Sequence, residues 1–235
     1  MSSISHRRRA REIRGFSLVE LIVASTISGF VVLGILAVFV QGLRIYKYDS
    51  FRLEINHDIR GFTDELTSNA TFANYFLIFS TFGGNLTTTT GNVTTVNNVT
   101  DGSSGDYLVL VNKDPADDTK VSSMIGYYRY VDASGNATLR KFTVNVSPSS
   151  NALVTSLLPA ASTAGTHPLI LPDSRAQGVG SGNTANIALA SGSTAIFYNF
   201  YNRSVIVRGQ IQYTAGDKLT KQAVSTYNFT VSPRG

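Results

Sequence analysis

Hydrophobic positions along this chain follow three successive patterns. From Leu21 to Leu43 they are nearly continuous and no charged residue interrupts them. At ~1.5 Å rise per residue, that run predicts a helix long enough to cross a hydrocarbon core of about 30 Å. From Phe51 the pattern becomes periodic: Phe51, Ile55, Ile59, Phe62 and Leu66 recur at spacings of four, four, three and four, which places them on one helix face. Arg52, Glu54, Asp58, Arg60, Asp64 and Glu65 fill the remainder, as a half-exposed helix requires. One helix is therefore expected from about Phe16 to about Thr67, close to 80 Å long at ~1.5 Å per residue. No globular core needs a helix of that length.

The third pattern is that of strands. The aromatic stretch Phe72 to Phe82 is compatible with the end of the helix or the start of a strand, and Gly83 to Gly105, rich in Thr, Asn, Ser and Gly, reads as an extended loop or weak hairpin. Tyr107 to Val111, Met124 to Val131 and Leu139 to Val146 are β-branched and aromatic runs separated by turn residues. Across Ala133 to Ala137 the latter two form a predicted hairpin. Val154 to Gly192 is again loop-like, and three late strands follow at Ala195 to Tyr201, Ser204 to Tyr213 and Val224 to Val231, the last two joined across Ala215 to Asp217. The expected class is α+β, with an antiparallel sheet covering the apolar face of the helix.

Charge changes this picture at the front edge. Arg7, Arg8, Arg9, Arg11 and Arg14 precede Gly15, and a single carboxylate, Glu20, lies inside the apolar run. A lone carboxylate there is costly and asks for a reason. The arginines match the positive-inside rule, which keeps the N-terminus cytoplasmic and sends the chain beyond Leu43 across the membrane. A secretory signal would have a shorter apolar region and a small-residue cleavage site after it. Here the best cleavage site comes before the apolar run, so processing leaves the anchor in place.

These residues resemble the N-terminal signature of type IV prepilins and type II secretion pseudopilins: a basic leader ending in Gly15, then Phe16, Ser17, Leu18, Val19, Glu20 and a hydrophobic helix. The resemblance implies that prepilin peptidase, a membrane aspartyl protease, cuts between Gly15 and Phe16 and methylates the Phe16 amine. It implies three parts: a leader at 1–15, a transmembrane or filament-core helix at 16–43, and an exported pilin-like domain at 44–235. Other pilin or pseudopilin subunits, the membrane and an inner-membrane assembly platform are the implied partners, with no cofactor. Gly29 and Gly34 are candidates for loosening of the helix in an assembled filament, although the proline that many major pilins carry there is absent. The long rear helix and strand-rich body, without a cysteine pair, resemble a minor pilin or J-type minor pseudopilin more than a short major pilin.

Two readings of Glu20 arise from its position. Four residues beyond the new amine, it is placed to pair with the Phe16 amine of a neighbouring subunit, and two charges that are each expensive in lipid become tolerable together. Alternatively, Ser17-x-x-Glu20 is a capping box that satisfies the first free amides of the helix.

Composition closes off other functions. The chain has 235 residues, 43% of them apolar, enough for one membrane helix and one domain with its own core. Its formal charge of +5 misleads, because removing the leader takes away five arginines and Glu12 and leaves 15 basic against 14 acidic residues, a net of +1. That is no electrostatic footprint for nucleic acid, even though Tyr127, Tyr128, Arg129, Tyr130, Arg140 and Lys141 cluster in sequence. There is no cysteine, hence no disulfide, thiolate metal site or thiol nucleophile. His6, His57 and His167 stand in no ligand or triad context. Asp114, Asp117 and Asp118 are weak candidates for Ca²⁺ but match no complete loop motif, and a solvated turn is the plainer reading. The GVGSG run from Gly178 lacks the strand and helix of a phosphate loop. Eight Asn-x-Ser/Thr triplets, beginning at Asn69, Asn85, Asn92, Asn98, Asn136, Asn145, Asn202 and Asn228, arise mostly from composition and suit an exposed surface. A structural subunit is expected rather than an enzyme; the alternative is a membrane- or filament-borne adhesin whose Thr/Asn/Gly-rich loops meet a surface or glycan. Mass spectrometry of the mature protein is expected to find N-methylated Phe16 as the first residue, and an intact Met1 would count against the whole reading.

Overall fold

The computed structural model describes residues 16–133, 137–171, 174–175, 195–213 and 223–234. It divides into two compact units, one ending at Lys47 and the other spanning Tyr48–Gly235. One helix, α1 (Leu18–Phe72), supplies the first unit and opens the second. Every residue from Phe16 to Lys47 is exposed, as expected of a surface meant for lipid or other helices rather than for its own chain. The helix is uninterrupted at Gly29 and Gly34; the isolated chain needs no loosening there. It extends to Phe72 rather than stopping near Thr67.

In the second unit, α1 lays the expected face against strands. Ile55, Phe62 and Leu66 are buried, Phe51 and Ile59 pack against them half-buried, and Ala70 and Ala73 continue the seam. The strands are β1 (Tyr75–Phe79), β2 (Thr87–Thr90), β3 (Val93–Val96), β4 (Ser104–Gly105), β5 (Tyr107–Asp114), β6 (Asp117–Val131), β7 (Ala137–Ser150), β8 (Leu169–Leu171), β9 (Ser174–Arg175), β10 (Phe197–Phe200), β11 (Ser204–Tyr213) and β12 (Ala223–Val231). A short helix, α2 (Val154–Leu157), lies between β7 and β8. The described pairings are all antiparallel. The fold is α+β with a long N-terminal helix packed on antiparallel sheet, as the sequence predicts.

The sheet is not single, however. Among the described residues, β1, β5, β6, β7 and β8 form one sheet in the order β1-β5-β6-β7-β8, β12-β11-β10-β4 form a second, with β9 also on β11, and β2 and β3 pair in a small hairpin sheet of their own. The early and late groups of predicted strands thus belong to different sheets. Asp106, between β4 and β5, is where the chain passes from one to the other. Its Oδ1 accepts the Ile196 amide at 3.1 Å and its Oδ2 lies 3.3 Å from Arg129 Nη1. Burial raises the Asp106 pKa against the opposing pull of Arg129 and the Ile196 amide.

The first sheet is covered on both faces. Leu108 and Leu110 of β5 point to the helix side, whereas Tyr107, Val109 and Val111 alternate into a second cluster with Phe79, Met124, Tyr128, Phe142 and Val154. Strands buried on both faces read as unbroken apolar runs. Polar ties fix the strap of chain on the outer face: the Tyr128 hydroxyl lies 2.5 Å from the Ala164 carbonyl and 2.7 Å from His167 Nδ1. On the helix side, the Tyr127 hydroxyl donates to Glu65 at 3.2 Å and accepts from Asn69 Nδ2 at 2.6 Å, and Lys141 pairs with the same Glu65 carboxylate. In each sheet an aromatic ring lies across a glycine: a Cβ on Gly126 would sit 2.1 Å from the Phe142 ring, and one on Gly209 2.0 Å from the Tyr227 hydroxyl.

Phe62 is the residue on which both sheets converge, with ring centroids 6.1 Å from Tyr127 in the first sheet and 5.8 and 5.6 Å from Tyr227 and Phe229 in the second. A fragment beginning near Lys47 is expected to be soluble, monomeric and β-containing by circular dichroism. In it, Phe62→Ala is expected to cost about 3–5 kcal/mol in urea unfolding, the range for truncating a buried aromatic.

Candidate functional site

The candidate site is the head of α1. Ser17 immediately precedes the first helical residue, and Glu20 falls within the first turn. The Ser17 amide donates to Glu20 Oε2 at 3.0 Å, and the Glu20 amide donates to Ser17 Oγ at 3.2 Å. These reciprocal bonds are those of a capping box. The first backbone bond of the helix, from the Leu21 amide to the Ser17 carbonyl at 3.2 Å, closes the same turn. Glu20 is exposed and its second oxygen, Oε1, makes no bond within the described residues.

Four further polar side chains, Ser25, Thr26, Ser28 and Gln41, lie in the apolar segment, and two of them bond to their own helix. Ser25 Oγ donates to the Ile22 carbonyl at 2.9 Å, and Thr26 Oγ1 to the Val23 carbonyl at 2.8 Å. Hydroxyls satisfied by their own helix can face hydrocarbon without an orphaned donor. Glu20 is therefore the only charged side chain between Phe16 and Leu43. Phe16 is 87% exposed. Gly15, the other half of the expected cleavage junction, lies outside the described residues, as do His6, the GVGSG run and the link between β11 and β12.

The remaining sequence candidates are used by the fold. The Asp114 carboxylate accepts the Ala116 amide at 2.9 Å, and Asp117 accepts the Thr119 amide and hydroxyl and pairs with Lys120 at 2.9 Å. The Thr119 hydroxyl, Lys120 and the Thr119 amide hold the Asp117 carboxyl down at about 2. Asp118 is exposed, and among the described residues no group of three potential ligands is placed to hold a metal ion. His57 is exposed. His167 is packed against Phe82 and Phe142; burial, then the nearby Arg140, lowers its pKa. The aromatic and basic cluster is spent internally: Tyr127 and Tyr128 are buried, Arg129 faces Asp106, Arg140 stacks over Tyr130 at 5.1 Å, and Lys141 meets Glu65.

Residues 11–36 match the family model of the prokaryotic N-terminal methylation motif. That match supports a resemblance of the N-terminal segment to type IV prepilins and type II secretion pseudopilins. The motif supports processing by prepilin peptidase, and α1 contains a segment long and apolar enough to span a bilayer. No curated protein and no solved structure matches it.

The cap makes a separable prediction. Ser17→Ala removes one of the two reciprocal bonds and is expected to cost the helix about 0.5–2 kcal/mol. NMR of the chain in micelles should then show fraying confined to the first turn, with faster amide exchange at Glu20 and Leu21.

Proposed function

We propose that this chain is a minor structural subunit, a minor pilin or pseudopilin, of a type IV pilus or type II secretion pseudopilus. The leader at 1–15 is removed between Gly15 and Phe16, the Phe16 amine is methylated, and the helix at 16–43 holds the subunit in the cytoplasmic membrane with the domain at 44–235 exported. The assembly platform of the inner membrane then passes it into a filament with other subunits. The observation that carries this reading is the surface of α1: mostly apolar side chains, all exposed from Phe16 to Lys47, with Glu20 the only charged one before Arg44. In a bilayer, lipid covers that surface. Out of the bilayer only other helices of the same kind can.

Glu20 serves both roles in this scheme. One carboxylate oxygen caps its own helix and the other stays available for the Phe16 amine of a neighbouring subunit. Glu20→Gln separates the two, because glutamine also serves at this capping position while the neighbour's amine loses its counter-charge. Breaking a buried pair by removing one partner costs about 3–5 kcal/mol. The variant is therefore expected to be cleaved and membrane-resident but strongly depleted in sheared filaments. Equal recovery of wild type and variant by quantitative mass spectrometry would leave Glu20 with capping alone.

A further inference from the structure

The unit Tyr48–Gly235 carries a cleft of about 450 Å³ where α1 gives way to β1, walled by Asn74, Tyr75, Asn202, Arg203, Ser204 and Ser232. That volume falls within the roughly 300–1,000 Å³ usual for small-molecule sites. Its polar walls offer donors, beside the apolar Phe76 and Pro233. Asn74 Oδ1 accepts the Lys113 amide at 2.8 Å, and its Nδ2 has no bond among the described residues. The Ser204 and Ser232 hydroxyls lie 2.7 Å apart and share a single hydrogen bond. Arg203 is exposed and has no ion-pair partner among the described residues. Among the described residues no Asp or Glu lines the cleft, and the Lys113 ammonium lies 6.0 Å from the Tyr75 ring centroid.

The turn beside it, between β10 and β11, stands in an unusual backbone conformation. Tyr201 and Asn202 have φ of 55° and 53°; asparagine tolerates this region, but a bulky aromatic there is an outlier. A hydrogen-bond network enforces it. Asp101 Oδ1 accepts the Tyr201 amide at 2.6 Å, and fully buried Asn199 accepts the Asn202 amide at 3.0 Å while donating to Asn202 Oδ1 at 2.7 Å and the Val99 carbonyl at 2.8 Å. The result presents the Tyr201 ring, 66% exposed, edge-on to a half-exposed Phe200 at 4.6 Å. The Arg203 amide donates to the Phe200 carbonyl at 3.2 Å, so these are the two left-handed central residues of a hairpin turn; glycine would meet that demand without strain, and the aromatic ring is what this turn adds to the surface.

We infer that this end of the domain binds an acidic saccharide. Asn74, Ser204 and Ser232 supply hydrogen bonds to ring hydroxyls, Arg203 pairs with the sugar carboxylate through its planar fork, and the tyrosine rings accept the apolar face of the sugar. The site lies outside the Thr/Asn/Gly-rich stretches, and it does not depend on the role of α1 in assembly.

The test uses the full chain in phospholipid nanodiscs, which avoids sugar-headed detergents, titrated calorimetrically with galacturonate-, glucuronate- and sialate-bearing oligosaccharides and their neutral counterparts. An acidic oligosaccharide is expected to bind about tenfold or more tighter than its neutral counterpart, a preference that Arg203→Ala removes. Tyr201→Gly suits the left-handed backbone and so preserves the fold; it is expected to weaken binding of both classes. Absence of binding across the panel, equal binding of acidic and neutral sugars, unchanged binding in both variants, or displacement by acetate at millimolar concentration would each overturn the proposal.

Discussion

The body of this protein depends on one ring. Phe62 comes from the helix and meets Tyr127 of one sheet and Tyr227 and Phe229 of the other, each in an edge-to-face arrangement, a geometry worth about 0.5–1.5 kcal/mol per pair beyond the area buried. The sheets are joined to each other through Asp106 and to the helix through this contact. The apolar seam running from Ile55 through Leu66 to Ala73 is consequently common to both. A helix that supplied only a membrane anchor would have no need of such a face. This one presents an apolar surface twice, first all round and then on one side, and only the second is covered by its own chain.

That division explains which parts of the fold are legible in the sequence. The five periodic residues from Phe51 to Leu66 announce a helix face because a charged complement surrounds them, and all five lie at the sheet-facing seam. Ala70 and Ala73 carry too little hydrophobic signal to extend the pattern, so the expected end at Thr67 falls short of Phe72. The strand Ser204–Tyr213 matches its expected ends, since β-branched residues alternate there between turn residues. β8 and β9, of three and two residues, lie in a Ser, Ala and Pro-rich stretch and take their conformation from the strands they pair with. The split between the two larger sheets has even less of a local signal: the chain crosses from one to the other at Asp106, whose partners, Arg129 and Ile196, are distant in sequence.

The two sites differ in the same way. The head of α1 is written in consecutive residues, so both of its reciprocal bonds are legible in the spacing Ser17-x-x-Glu20 alone. The cleft draws on the start of β1, the β10–β11 turn and the end of β12, three segments with no common motif. Asn202 illustrates the limit: as sequence it opens an Asn-x-Ser triplet, but in the structure its side chain is engaged by Asn199 and it walls the cleft.

The geometry at Glu20 also removes an apparent conflict between its two readings. A capping carboxylate and an inter-subunit carboxylate would compete if each required both oxygens, yet the cap uses only Oε2, and the Ser17 amide it accepts lies one residue beyond the junction at which the leader would be cut. The cap thus survives removal of the leader and fixes the rotamer of Glu20 beforehand. Holding a charged side chain in place lowers the conformational entropy that an incoming partner must overcome, up to ~2 kcal/mol for a long flexible group. In the proposed assembly, capping and pairing are then successive uses of one group: the first orients the carboxylate in a single subunit, and the second draws on the oxygen that the first leaves free.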